Sequence, residues 1–219
     1  MATNNALNNA SAPITLDSGA SGDSYVQFDI NATGEFRIGV DDDAGDAFKI
    51  SQGSALGTND TFIVTAAGEI TKPLQPAFLA YLSATATNVT GNATTYTVVY
   101  NSEVFDQNGD FASNTFTAPV TGRYYLGCST LLGDLTASFT YGYTQIVTSN
   151  RSYFMQYGVG SARDTSTNRA CLYLNVLADM DAADTAIVRV EVGGSTLTVD
   201  VVSGGASDPR SWFCGNLEV

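Results

Sequence analysis

Large apolar residues in this chain recur with a period of two, which is the signature of strands with one face turned to a core. Val26, Phe28 and Ile30 alternate before Gly34, and Phe36, Ile38 and Val40 alternate before the turn DDDAGD. Phe48 and Ile50 follow, then the loop SQGSALGTND and the run Phe62-Ile63-Val64, which ends near Gly68. Short strands with turns every eight to twelve residues indicate all-β structure. Phe28-x-Ile30-x3-Gly34-Glu35 is echoed by Ile63-x-Thr65-x2-Gly68-Glu69. One such segment is too small to make a sturdy core in a single copy, and winding three copies together would solve that.

Thr71-Lys72-Pro73-Leu74-Gln75-Pro76 interrupts the pattern, since two prolines in four residues favour a stiff, extended connector. Beyond it the strand-like runs are Phe78–Leu82, Thr95–Tyr100, the Phe116 region, Gly122–Leu132, Ser138–Val147, Ser152–Val159, Ala170–Leu177, Thr185–Val192, Thr196–Val202 and Ser211–Glu218. Ten strands bounded by Gly, Asn or Asp is the count of a two-sheet jelly roll. The expected organisation is an arm over residues 1–24, a β collar or shaft over 25–72, and a jelly-roll knob over 76–219. The arm is Asn-, Ala-, Ser- and Thr-rich, and is either disordered or ordered against a partner.

Within several strands both faces carry bulk. Leu172 and Leu174 oppose Cys171 and Tyr173; Phe213 and Leu217 oppose Trp212 and Cys214; Phe139, Tyr141 and Tyr143 form an aromatic stripe. A lone sandwich buries only one face of each sheet. The surplus, in a chain with eleven Tyr and eleven Phe, predicts a homotrimer with Tyr124, Tyr141, Tyr143 and Tyr173 at or near its interface.

Charge narrows the partners. The net charge is −13, which opposes nucleic-acid binding, and no apolar run is long enough to cross a membrane as a helix. The absence of His removes Ser-His-Asp and Cys-His catalysis and the commonest zinc ligand. No phosphate-binding G-x-x-x-x-G-K-[ST] occurs, and no spacing singles out a carboxylate pair, so the chain reads as a non-enzyme without a required cofactor. Asp41, Asp43 and Asp46 around Gly45 are candidate calcium ligands. The EF-hand closing Glu is missing, and the plainer reading is a solvated acidic turn; Asp179, Asp181 and Asp184 stand the same way. Cys128, Cys171 and Cys214 each fall in a strand-like run and suit small buried thiols better than a disulfide framework. Asn-x-Ser/Thr sequons at Asn9, Asn31, Asn59, Asn88, Asn92 and Asn150 read as a product of composition. The first residues carry no secretory-signal pattern, which fits synthesis in a host cytoplasm followed by service outside it, as happens with virion proteins.

The run Phe105 to Tyr125, FDQNGDFASNTFTAPVTGRYY, resembles the signature of the complement 1q globular head, of the tumour-necrosis-factor-like jelly-roll superfamily. The matching positions are Phe105, Gly109, Phe116, Ala118, Pro119, Gly122, Tyr124 and Tyr125. Leu177 to Val192 is similar to that family's acidic turn into a Val-rich strand, and SWFCGNL at Ser211 to Leu217 to its closing strand. The resemblance spans Pro76 to Val219 and implies the knob fold; since some members bind calcium near a trimer axis, it also keeps calcium in view. It says little of function, because that fold hosts many binding roles.

Phe36 to Pro73, FRIGVDDDAGDAFKISQGSALGTNDTFIVTAAGEITKP, resembles the collar or shaft repeat of bacteriophage and other viral fibre proteins. The two resemblances together imply a structural fibre subunit, held to other virion proteins by its arm and displaying a trimeric knob to a host-surface glycan or protein. The alternatives are a capsid or tail decoration protein with no ligand, and a bacterial complement-1q-like lectin or adhesin.

Overall fold

A computed structural model of the chain describes residues 15–19, 21–30, 34–53 and 55–219. The chain divides into two compact units, one ending at Leu74 and the other running from Gln75 to Val219. Most of the arm expected over residues 1–24, and Asn9 and Asn31 among the sequons, lie outside the described residues.

The first unit is a five-stranded antiparallel meander: β1 (Ser24–Ile30), β2 (Gly34–Asp41), β3 (Ala47–Gln52), β4 (Asp60–Val64) and β5 (Ile70–Thr71). The register places Val26, Ile38, Ile50 and Phe62 in one cross-strand row and Val40, Phe48, Val64 and Ile70 in another. Phe28 pairs with Phe36 beside them. These rows share one face, and it is uncharged. The other face carries Arg37, Asp41, Lys49 and Ser51, which are buried together with Ala47. The Lys49 ammonium lies 2.8 Å from Asp41 and 3.0 Å from Asp60. Burial alone would lower its pKa, but the two carboxylates outweigh that and hold it above the usual lysine value. Arg37 stands 5.6 Å from the Tyr25 ring centroid and donates to the Gln27 side chain and to the Gly53 carbonyl. Leu56, in the loop after β3, is buried too.

The second unit is a two-sheet sandwich. Its strands are β6 (Ala77–Tyr81), β7 (Ala86–Thr90), β8 (Thr95–Thr97), β9 (Ser102–Asp106), β10 (Phe111–Ala112), β11 (Thr115–Thr117), β12 (Gly122–Gly133), β13 (Tyr141–Thr148), β14 (Ser152–Tyr157), β15 (Ala170–Met180), β16 (Thr185–Gly193), β17 (Val199–Val201) and β18 (Trp212–Leu217). A single four-residue helical turn, Val159–Ala162, follows β14. One sheet runs β7-β17-β12-β18-β6-β9, with β15 also paired to β12; the other runs β10-β11-β16-β13-β14, with β8 paired to β16. The chain leaves the first sheet after β12 for β13 and β14, returns for β15, crosses again for β16 and comes back for β17 and β18. Those repeated crossings make it a jelly roll, as its strand pattern predicts.

The core lies between the sheets. Tyr124, Leu126, Cys128 and Leu132 alternate inward on β12, and Ala186, Val188, Val190 and Val192 do so on β16. Phe78 stacks on Phe111 and Phe116, each at 4.9 Å between ring centroids, and meets Phe213 edge-on at 5.0 Å. Phe111 and Phe116 come from the β10–β11 hairpin. Its approach is set by Asp106, whose carboxylate accepts from the backbone N–H groups of Asp110 and Phe111. Gly109 completes that turn at φ +73°, a conformation that costs a side-chain-bearing residue about 1 kcal/mol or more.

The second unit has three strands beyond the ten expected, namely β7, β9 and β10. β7 (ATNVT) is Thr- and Asn-rich, with Asn88 at φ +57°, and it pairs irregularly with β17. Its ladder is supplied by the neighbouring strand rather than by its own apolar period. Phe139 lies just before β13 and is buried. The stripe expected over Phe139, Tyr141 and Tyr143 is therefore split between the core and the surface.

Truncating the ring that touches both Phe111 and Phe116 removes the centre of the cluster. Phe78→Ala is expected to lower the unfolding free energy by about 3–5 kcal/mol. A urea titration followed by the fluorescence of the single Trp checks this, and a loss under about 1 kcal/mol would show that the cluster does not hold the sandwich.

Candidate interaction surfaces

The outer face of the seven-stranded sheet is unusually apolar. Register sets Phe105, Leu79 and Cys214 in one row with Gly127 and Asn175, and Tyr81, Trp212, Ser129 and Tyr173 in the next. Tyr125 and Leu177 pair in a third. Tyr173 is 54% exposed, Leu177 55% and Phe105 48%. Leu79, Phe105, Pro209, Trp212 and Cys214 line a depression of about 510 Å³. Gly127 lets its neighbours close over the middle of this face: a Cβ there would stand 2.7 Å from the Asn175 side-chain oxygen and 3.4 Å from the Cys214 sulfur.

The outer face of the other sheet carries a different cluster. The Glu191 carboxylate on β16 accepts from the hydroxyls of Tyr141 at 2.9 Å, Tyr143 at 2.5 Å and Thr95. The two tyrosine rings stack at 6.3 Å with a 13° interplanar angle, and Phe154 meets Tyr143 edge-on at 6.4 Å. Burial would raise the Glu191 carboxyl, but the three donors outweigh it and hold the group below its ordinary value. The Tyr143 hydroxyl is pushed up, by burial first and then by Glu191, and the Tyr141 hydroxyl is pushed up by its bond to Glu191.

The four tyrosines expected at one interface do not share a surface. Tyr124 is a correction: it is 0% exposed in the sandwich core, packed on Phe116, with its hydroxyl donating to the Val120 carbonyl at 2.7 Å. It is spent inside its own copy and cannot reach a partner. Its neighbour Tyr125 points outward instead, because adjacent strand residues take opposite faces. Tyr173 lies on the outer face of the seven-stranded sheet, and Tyr141 and Tyr143 on the outer face of the other. Leu79, Phe105, Trp212 and Cys214 escaped the sequence reading as surface residues. Period-two bulk on both sides of β18 was the one available signal, and it did not say which side was outward.

The calcium candidates Asp41, Asp43 and Asp46 also need correcting. Both Asp41 oxygens are engaged, one by Lys49 and the other by the Ala44 N–H. A carboxylate neutralised by an ammonium has little left for a cation, while Asp43 and Asp46 lie exposed on the turn. One Asp184 carboxylate oxygen accepts from both the Asp181 N–H and the Asn150 side-chain amide. Among the described residues no group of three His, Cys, Asp or Glu could hold a metal ion.

The cysteines are all free. Cys128 is buried in the core, and burial pushes its thiol up to about 12; Cys214, at the outer depression, is raised by burial as well. Raised thiols are poor nucleophiles at neutral pH.

These features define a β-sandwich of jelly-roll type with two aromatic outer faces. No known family's model matches the chain, and no curated protein is similar to it. Among solved structures it is similar to the globular domain of a zebrafish complement 1qA protein, at 15% identity and a TM-score of 0.46 over 66% of this chain and 98% of that one. It is also similar to murine APRIL at pH 8.5, at 9% identity and a TM-score of 0.45, and at pH 8.0, at 11% identity and 0.46. Each APRIL match covers 66% of this chain and 99% of the other.

The buried thiol has a consequence for alkaline stability. Burial pushes this thiol from its ordinary value of 9.0 up to about 12, so the folded state keeps its proton where the unfolded state loses it. Stability is therefore fully present below pH 9 and falls as pH rises from 9 towards 12. Tyr100 and Tyr124, raised by burial, act in the same direction, so Cys128→Ala should shallow the decline in Tm over this range without abolishing it. Thermal melts at pH 8, 9, 10 and 11 check this; parallel declines in both proteins would refute it.

Proposed function

We propose that this chain is a non-catalytic structural subunit of a viral fibre, assembled as a homotrimer and displaying its jelly-roll knob to a host-surface molecule. The observation that carries the reading is the apolar outer face of the seven-stranded sheet. Tyr125, Tyr173, Leu177, Phe105 and Trp212 stand there together, more apolar surface than a monomer gains by leaving wet. Packing that face against neighbouring copies buries it, and each aromatic so covered is worth about 1.5–3 kcal/mol. The net charge of −13 per chain opposes assembly, but at physiological salt a Debye length of about 8 Å screens most of that repulsion.

The viral assignment is supported by the resemblance of Phe36 to Pro73 to fibre collar repeats. In this reading the segment before β1 attaches to other virion proteins. The six-stranded sheet, with Tyr141, Tyr143 and Phe154 on its outer face, remains outward and offers the contact to host glycan or protein. Three such faces on one rigid head gain avidity without new contacts.

Sedimentation of the full chain at micromolar concentration should give three times the 23.0 kDa monomer, and Trp212→Asp should raise the concentration at which the assembly dissociates at least about tenfold, with an unchanged circular dichroism spectrum. Fluorescent full-length protein should bind host cells, with apparent affinity at least about 100-fold weaker at dilutions where the variant has dissociated. A folded wild-type monomer would refute the assembly. A trimer that binds no cell or glycan would leave the decoration-protein reading in its place.

A further inference from the structure

The first unit is built inside out. An antiparallel sheet with one wet face normally puts its charged residues on that face. Here Arg37, Asp41 and Lys49 are buried, with Lys49 held between Asp41 and Asp60, while the uncharged apolar face is the open one. Phe28 is 57% exposed and Ile70 61%, and Phe36, Val40 and Phe48 are exposed beside them. We infer that this face of the β1–β5 sheet packs against the same face of the other copies of this chain, making the first unit a second assembly interface, independent of the knob.

Three observations select another copy as the occupant. Taking side chains of this size at these exposures, the open apolar area is on the order of 800 Å², which is what one partner contributes to a stable interface. The face bears no charge in a chain of net charge −13, so it meets its own copy without repulsion. The segment before β1 offers only Met1, Leu7, Ile14 and Leu16 as large apolar residues, too few to cover two cross-strand rows. A five-stranded single layer needs a second layer, and copies of itself supply one of matching size and chemistry. The copy number of three rests on the homotrimer reading above; the contact between faces does not.

The test uses the full chain with p-benzoylphenylalanine in place of Phe28, prepared as an equal mixture of ¹⁴N and ¹⁵N protein and irradiated after assembly. Mixed-isotope peptides linking position 28 to residues 24–71 of another copy are expected, and their yield should fall at least tenfold when Ile38→Asp is added. The control Thr61→Asn, outside those apolar rows, should leave the yield unchanged. Links within one copy, links to residues 75–219, or no links would overturn the inference. Sedimentation of the same samples separates it from the function reading. A trimer without mixed-isotope links at position 28 overturns only this interface, and a linked dimer supports the interface while overturning the three-copy assembly.

Discussion

The knob depends on one strand. β12 is twelve residues long, pairs with β15 along nearly its whole length, and takes β18 and then β17 on its other edge. A strand ladder-bonded on both edges cannot shift register, because a slip of one residue would exchange its core and surface sets. That fixed register places Tyr124, Leu126 and Cys128 in the core and sends Tyr125, Gly127 and Ser129 outward. Everything described for the outer face of that sheet follows from the same frame, since Trp212, Cys214, Tyr173 and Leu177 are held opposite it.

The two units solve the problem of surplus bulk in opposite ways. In the second unit the inner face is a dense aromatic and aliphatic core, and the apolar residues left over stand on an outer face floored by Gly127. In the first unit polar groups take the buried side. Lys49 with two carboxylates, and Arg37 with Tyr25, Gln27 and the Gly53 carbonyl, satisfy one another there. Buried ion pairs contribute little net stability after desolvation, but breaking one by removing a partner is costly. They occupy the buried side of the sheet and leave the apolar rows on the open one.

Chemistry in the molecule points the same way. The polar side chains with shifted ionisation are engaged in structure: Glu191 gathers three hydroxyls, and Cys128 is held neutral by burial. These groups fix strands and turns, and the two outer faces of the sandwich carry aromatic clusters beside them.

The period of two, the turn dipeptides and the Thr71–Pro76 connector determined by themselves that the chain is all-β, where the longer strands run and that the sandwich is a jelly roll. These are local signals, because alternation and turn residues act within a few positions of one another. Strands such as β7 and β9 were not legible, since their backbone bonds are completed by β17 and β6, partners distant in sequence. Which face of a strand is inward was also undetermined wherever both faces carry bulk. Tyr124 and Tyr125 are identical neighbours, and only the second sheet packing over one of them decided that it belongs to the core and the other to the surface. For the same reason Asp41 resembled a cation ligand until the pairing of β2 with β3 brought Lys49 against it.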